Sequence, residues 1–327
     1  MIESDKLGYR KHVLDEFEFE NGQILQDVEV EYTTRGLPKY DEEGNIVNAI
    51  IYCHRYNGNC LSIEDLNQLL GSKSELSDFN FFYISITSLG FPESCSPSTT
   101  NLKFDFPKYT IKDCVNFKRK FLAEEFDISN VLGILGVGRG GYEAFTWGCE
   151  YPDEMEFLII GHSSFKTNGY RYITSKALNN LIESSDAYLD AVYSDPLTKI
   201  MFSINTLIYS QYFSKKSFQN FSQEDLDVLI DTFVEEGSSD DIYDFKFRND
   251  AALNYDVEDK LSNIKAKTFI FCASEDGYYS PEFDVYPLKD KIENLEIYIF
   301  DDQEFVYKYD YSVFVNPFRE FLEEFKK

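Results

Sequence analysis

Histidine is nearly absent from these 327 residues: there are three, His12, His54 and His162, and none follows position 162. Chemistry that needs an imidazole late in the chain is therefore excluded. Cysteine offers no C-x-x-C pair. The six (53, 60, 95, 114, 149 and 272) are scattered, several inside apolar runs such as "IIYCH" and "FIFCA". They read as reduced, buried cysteines and not as a disulfide framework or zinc site. No metal-ligand spacing is visible, and no metal or cofactor is expected. Positive charge is in short supply, with 31 Lys and Arg against 58 Asp and Glu, a net charge of −27. That field repels phosphate backbones and anionic membranes, so neither nucleic acid nor membrane is an expected partner. No apolar run approaches the ~20 residues of a membrane span, and the first twenty residues hold no apolar signal core. The expectation is a cytoplasmic protein.

Aromatics are plentiful, with 30 Phe and 24 Tyr, enough for a sizeable core. Short apolar runs recur at 49–53, 81–86, 131–136, 157–161, 268–273 and 295–300. Most are apolar on both alternations, which suits strands buried on two faces of a mainly parallel sheet. "QDVEVEYTT" (26–34) alternates and predicts an antiparallel strand near the sheet edge. Helical segments fall between the runs. Three start with a Ser or Thr followed three residues later by an acid: Ser62 with Asp65, Thr110 with Asp113, and Ser222 with Asp225. Between about 165 and 252 the strand pattern stops. Helices are predicted near 172–191, 196–213 and 222–236, and "EEGSSDD" (235–241) reads as an exposed loop. The organisation is a doubly wound α/β core, 1–164 and 253–327, with a helical cap or lid inserted at 165–252.

"GILGVGRGGYEAFTWG" (133–148) spells G-x-G-x-x-G through Gly136, Gly138 and Gly141. A dinucleotide fingerprint should occupy the first strand–helix turn and be followed about 20 residues later by an acid at the end of the next strand. Here at least three strands come first, and the next strand ends at Gly161 and His162. The better reading is the sharp elbow on which hydrolases mount a nucleophile, G-x-S-x-G. In "GVGRG" (136–140) the nucleophile's position holds Gly138.

Four stretches resemble the homoserine O-acetyltransferase family of the α/β-hydrolase superfamily. "FDFPKYTIKDCV" (104–115) is similar to the segment leading into the helix before the elbow. "GVGRGGYEAFTWGCEYPD" (136–153) resembles the elbow and its helix, and "IIYCHRYNGN" (50–59) the loop that helps form the oxyanion hole. "NYDVEDKLSNIKAKTFIFCASEDGYYSPE" (254–282) resembles the return strand and its catalytic-aspartate turn. The resemblance spans roughly residues 20 to 325. It implies an α/β-hydrolase fold, Asp276 as the triad acid, Gly138 in place of the serine, and Gln303, in "DDQEFVY", in place of the histidine. It also implies a pocket bordered by His54, Arg55, Arg139, Gly140, His162 and Ser163, and a homodimer joined through the cap.

Acyl transfer by this route needs a nucleophile deprotonated by a histidine that an acid orients. Glycine has no side chain, and glutamine is no base near neutral pH. The expectation is a non-catalytic homologue whose pocket between core and cap takes a small ligand or serves a partner protein. A glycine at the elbow also relieves backbone strain. The alternative is an active acyltransferase or esterase using other residues, such as a rewired Ser163–His162–Asp276 set. Against it stands the simpler expectation that His54 and His162 are loop residues satisfied by nearby backbone, and that Arg139 pairs with an acid. Cys53 and Cys60 are weaker nucleophile candidates, since buried thiols are usually inert.

Overall fold

A computed structural model describes residues 8–70, 74, 76–211, 213–219, 221–236, 240–301 and 312–326. Eight strands form one sheet: β1 (Arg10–Glu18), β2 (Ile24–Arg35), β3 (Ala49–Cys53), β4 (Phe82–Ile86), β5 (Val131–Val137), β6 (Met155–Gly161), β7 (Lys267–Ala273) and β8 (Leu295–Phe300). Their order is β1-β2-β4-β3-β5-β6-β7-β8. β1 and β2 pair antiparallel, as do β2 and β4, and every pairing from β4 to β8 is parallel.

Strands apolar on both alternations fill two cores. In β3, Ile51 and Cys53 join one cluster while Ile50 and Tyr52 join the other. The first cluster lies under helices α1 (Ile111–Phe126) and α2 (Arg139–Glu150). The second meets the helix Ser312–Leu322, here α7, through Phe318 and Phe321. Thr110 and Asp113 form the predicted capping box on α1. The box predicted at Ser62 and Asp65 is displaced: Asn59 is the N-cap and Ser62 its reciprocal partner, opening a 3₁₀ segment, Cys60–Leu66.

The stretch between β6 and β7 is helical, with α3 (Gly169–Glu183), α4 (Asp195–Ser210), α5 (Gln223–Glu236) and α6 (Ile242–Leu253). Its two ends meet: Thr167 N–H donates to the Tyr255 carbonyl and Val257 N–H to that of Phe165. Leu178, Ile182, Leu197, Met201, Ile204, Tyr243 and Phe245 give it a core of its own. It is tied to the sheet domain by buried polar contacts. On α6, Asp244 accepts from the Ser98 backbone N–H (2.8 Å) and from the Ser96 and Ser98 hydroxyls. At the start of α3, Arg171 makes a two-pronged pair with Asp284 (2.6 and 2.8 Å).

Elements that were not predicted include β1, α6 and α7. In β1, Leu14 and Phe17 are both buried although three residues apart. The opposing strand carries Asp27 at φ +54° between their partners, so the pleat is interrupted and the two-residue alternation is lost. Helix α6 was missed because Ile242 through Asn249 are all buried. A helix covered all round carries no apolar stripe to read.

Candidate active site

The turn after β5 has the geometry of an elbow. Gly138 sits at φ 58° and ψ −121°, and α2 begins at the next residue. Its N–H donates to the Gly161 carbonyl (3.0 Å), which fixes the turn against the end of β6. Neighbouring glycines are demanded by packing. A Cβ on Gly140 would fall 2.0 Å from the Cys53 carbonyl oxygen, on Gly136 2.4 Å from the Gly140 oxygen, and on Gly141 2.3 Å from the Ser163 hydroxyl. Gly138 differs. A Cβ there would meet nothing nearer than the Arg55 Cβ at 3.7 Å. The place where a nucleophilic side chain would stand is sterically open, and the residue there carries none.

Asp276 follows β7 and His162 follows β6. The two strands are neighbours with Gly161 opposite Phe271, so the residues after them converge. The His162 Nδ1 lies 2.7 Å from Asp276 Oδ2, with both side chains fully buried. The other carboxylate oxygen accepts the backbone N–H groups of Tyr278 (2.9 Å) and Tyr279 (2.8 Å). His162 has φ +44°, and its ring meets those of Phe271 and Phe300 edge-on. This corrects the expectation for His162: its side chain is held by the carboxylate of Asp276 and not by backbone. Asp276 in turn does have a histidine. Of the alternative Ser163–His162–Asp276 set, the structure brings the last two together.

Ser163 does not complete a triad. Its hydroxyl donates to the Gly138 carbonyl (2.7 Å), which braces the elbow. His162, Cys272 and Asp276 offer ligand atoms within 4.8 Å of one another. This is a buried set of metal-ligand types that the sequence spacing did not display. The Cys272 thiol donates to the Tyr279 carbonyl (3.2 Å), and burial together with the Asp276 charge pushes its pKa well up.

His54 meets the expectation of backbone satisfaction. Nδ1 pairs with the Arg55 carbonyl (2.8 Å) and Nε2 accepts the Ser88 N–H (3.0 Å). Burial first, and then the nearby Lys118 charge, lower its pKa to about 3. Its lone pair is committed to an amide, so it is no base. Arg55 reaches Asp65 at 3.1 Å. Arg139 is buried and pairs with Glu143 (3.0 Å), which also accepts from Ser88 Oγ (2.6 Å) and lies 3.4 Å from the buried Lys118. Cys60 is pushed up to about 12, and Cys53 also upward, by burial before any other cause. Neither is a ready thiolate. Gln303, and residues 237–239 of the predicted "EEGSSDD" loop, lie outside the described residues.

No family model matches the chain. It is 39 % identical over 303 residues to a probable acyltransferase of Methanothermobacter thermautotrophicus, covering 93 % of each. To a homoserine O-succinyltransferase of Hahella chejuensis it is 23 % identical over 282 residues, covering 80 % of this chain and 70 % of the other. Among solved structures, an acetylester hydrolase from Corynebacterium glutamicum superposes with a TM-score of 0.82 at 22 % identity, covering 98 % and 96 % of the two chains. A homoserine O-acetyltransferase from Bacillus anthracis gives 0.80 at 17 %, covering 97 % and 98 %. These structures fix the fold as that of an α/β-hydrolase, and no helix among the described residues is long and apolar enough to cross a membrane.

Proposed function

Because the chain belongs to the homoserine O-acetyltransferase-like family of the α/β-hydrolase superfamily, we propose that it is a non-catalytic member whose pocket, between the elbow and the helical insertion, binds a small ligand or a partner protein. Gly138 carries this reading. The elbow keeps its backbone geometry and its open space, yet the position has no atom that can attack an acyl carbon. The covalent route is thereby removed, whatever supports it nearby. In this reading residues 165–252 act as the cap and 1–164 with 253–327 as the core. A cytoplasmic homodimer goes with it.

Turnover by the purified protein tests the proposal. Acetyl-CoA with homoserine, and a panel of activated esters, are followed against an Asp276→Asn, His162→Ala double variant purified identically. The expected result is no rate in either. Turnover by the wild type that the variant loses would overturn it.

One observation favours a second reading, an active acyltransferase or esterase: the 2.7 Å pairing of His162 with Asp276 beside the elbow. A histidine so oriented could take the proton of a water or acceptor hydroxyl, whose oxygen would attack the acyl carbonyl directly, without a covalent enzyme intermediate. The full burial of both side chains weighs against this reading.

A further inference from the structure

The ends of β6 and β7 bring three side chains of different chemistry to one buried point. His162 follows β6, Cys272 lies on β7, and Asp276 stands in the turn after it. Among the described residues they are the one group of three His, Cys, Asp or Glu side chains whose ligand atoms all lie within 4.8 Å of one another. Asp276 Oδ2 is the common neighbour, 2.7 Å from His162 Nδ1 and 3.9 Å from Cys272 Sγ. A further oxygen is close, since the Tyr279 carbonyl lies 3.2 Å from Sγ. Tetrahedral zinc bonds of about 2.0–2.3 Å set N and O donors about 3.3 Å apart, and S and O donors about 3.6 Å apart. To reach that geometry the first contact opens by about 0.6 Å and the second closes by about 0.3 Å, shifts of side-chain size.

The surroundings orient these groups as outer partners orient metal ligands. Asp276 Oδ1 accepts the N–H groups of Tyr278 and Tyr279, which leaves Oδ2 to the other two side chains. The His162 ring meets Phe271 and Phe300 edge-on. Its backbone is left-handed, at φ +44°, and its N–H donates to the Phe271 carbonyl on β7 (3.1 Å). A residue other than glycine adopts that conformation at a cost, and such strain gathers at functional sites. Charge is consistent with an ion. A divalent cation with one thiolate, one carboxylate and a neutral imidazole sums to zero, as a buried ionic set requires. Asp284 also acts on Cys272, but it is neutralised by its ion pair with Arg171 (2.6 Å). Without a cation, burial and then the charges of Asp276 and Asp284 keep the thiol protonated. A coordinating cation deprotonates a thiol outright, and the proton passes to solvent.

We propose that His162, Cys272 and Asp276 bind a zinc-class divalent ion that pins the end of β6 to β7 and to the turn after it. A set of one sulfur, one nitrogen and one oxygen suits a borderline ion such as zinc or cobalt, whereas magnesium and calcium take oxygen. All three side chains are fully buried. The site is therefore closed, as structural zinc sites are, and offers no coordination position to a substrate. The inference goes beyond the ligand-binding reading given above and does not rest on it.

The test uses the full chain, stripped with a chelator and then given zinc chloride or cobalt chloride. Each is supplied to the folded chain and during refolding from urea, so that a closed entry path does not hide the site. Magnesium chloride and calcium chloride control for binding to surface acids. Three results are expected of the wild type: zinc retained through gel filtration at about one ion per chain, a melting midpoint raised by zinc and cobalt alone, and a sulfur-to-cobalt charge-transfer absorption. Cys272→Ser keeps the size of the side chain and should lose that absorption and weaken zinc binding by about ten-fold or more. His162→Gln, the second variant, should weaken zinc binding by a similar factor. No retained zinc and no cobalt–sulfur absorption in the wild type would overturn the site, a result that needs no variant to fold. So would unchanged zinc affinity in Cys272→Ser, or an equal response to magnesium. Ester turnover would end the non-catalytic reading alone.

Discussion

At Gly138 and Gly140, two residues apart, a methyl group would meet opposite problems. Gly138 has the left-handed backbone that L-residues disfavour, but open space. Its cost as alanine or serine is conformational, about 1–2 kcal/mol. A Cβ on Gly140 would collide with backbone carbonyls of residues 53 and 54 at 2.0 and 2.7 Å. Backbone cannot swing aside, so α2 and β3 would have to separate. Gly140→Ala should therefore cost about 3 kcal/mol or more, well above Gly138→Ala, as read by urea unfolding. The reverse order would show that strain at the elbow outweighs packing behind it. His54 gives a residue-scale prediction in pH. Its folded pKa, about 3, lies below the ordinary value of 6.5, so the unfolded chain binds the proton first. The stability this residue contributes is complete above about pH 6.5 and is lost as pH falls toward 3, at about 1.4 kcal/mol per pH unit. Gln at position 54 can donate and accept in the same places without titrating. The stability gap between wild type and His54→Gln should shift toward the variant by about 2 kcal/mol between pH 7 and pH 5. A gap independent of pH would mean that His54 is not held neutral.

Among elements, a buried ion pair helps tie the helical insertion to the sheet domain. Arg171 on α3 meets Asp284, in the short helical segment Pro281–Val285 that follows the Asp276 turn, through two charge-assisted bonds with both side chains buried. Removing one partner leaves the other charged and desolvated. Asp284→Ala should cost about 3–5 kcal/mol, while the Arg171→Met, Asp284→Ala pair should cost less than the single change, because no uncompensated charge remains. A double variant as unstable as the sum of the singles would show the pair to be uncoupled. The same elements decide what the sequence could disclose. Strands β3 to β7 were legible because burial on both faces leaves unbroken apolar runs. Helix α6 was not, since it too is covered all round, and residues such as Lys246 and Arg248 look solvent-facing until their partners are known. At the site, the elbow and Asp276 could be placed from local residues and resemblance. The pairing of His162 with Asp276 needed the knowledge that β6 and β7 are adjacent, a property of the sheet order and not of either segment.

For the whole molecule, the balance of charge sets the response to salt. Exposed pairs such as Lys11–Glu29 and Lys265–Asp153 contribute about 0–1 kcal/mol each and are weakened by screening. Buried pairs such as Lys118–Glu143 are screened far less. Against these losses stands the repulsion among 58 acids, of which 31 Lys and Arg can neutralise at most 31. The remaining 27 negative charges have no cationic side chain to meet, and the compact state holds them closer than the unfolded chain does. Because the Debye length shortens from about 30 Å at 0.01 M to about 10 Å at 0.1 M salt, screening should relieve more repulsion between distant acids than it removes attraction within contact pairs. The unfolding midpoint is therefore expected to rise between 10 and 500 mM sodium chloride at pH 7.5, steeply at first and then levelling. Potassium chloride should give the same curve, since the effect is screening and not a bound ion. A midpoint that falls with salt would mean that the surface ion pairs carry more of the stability than their exposure allows.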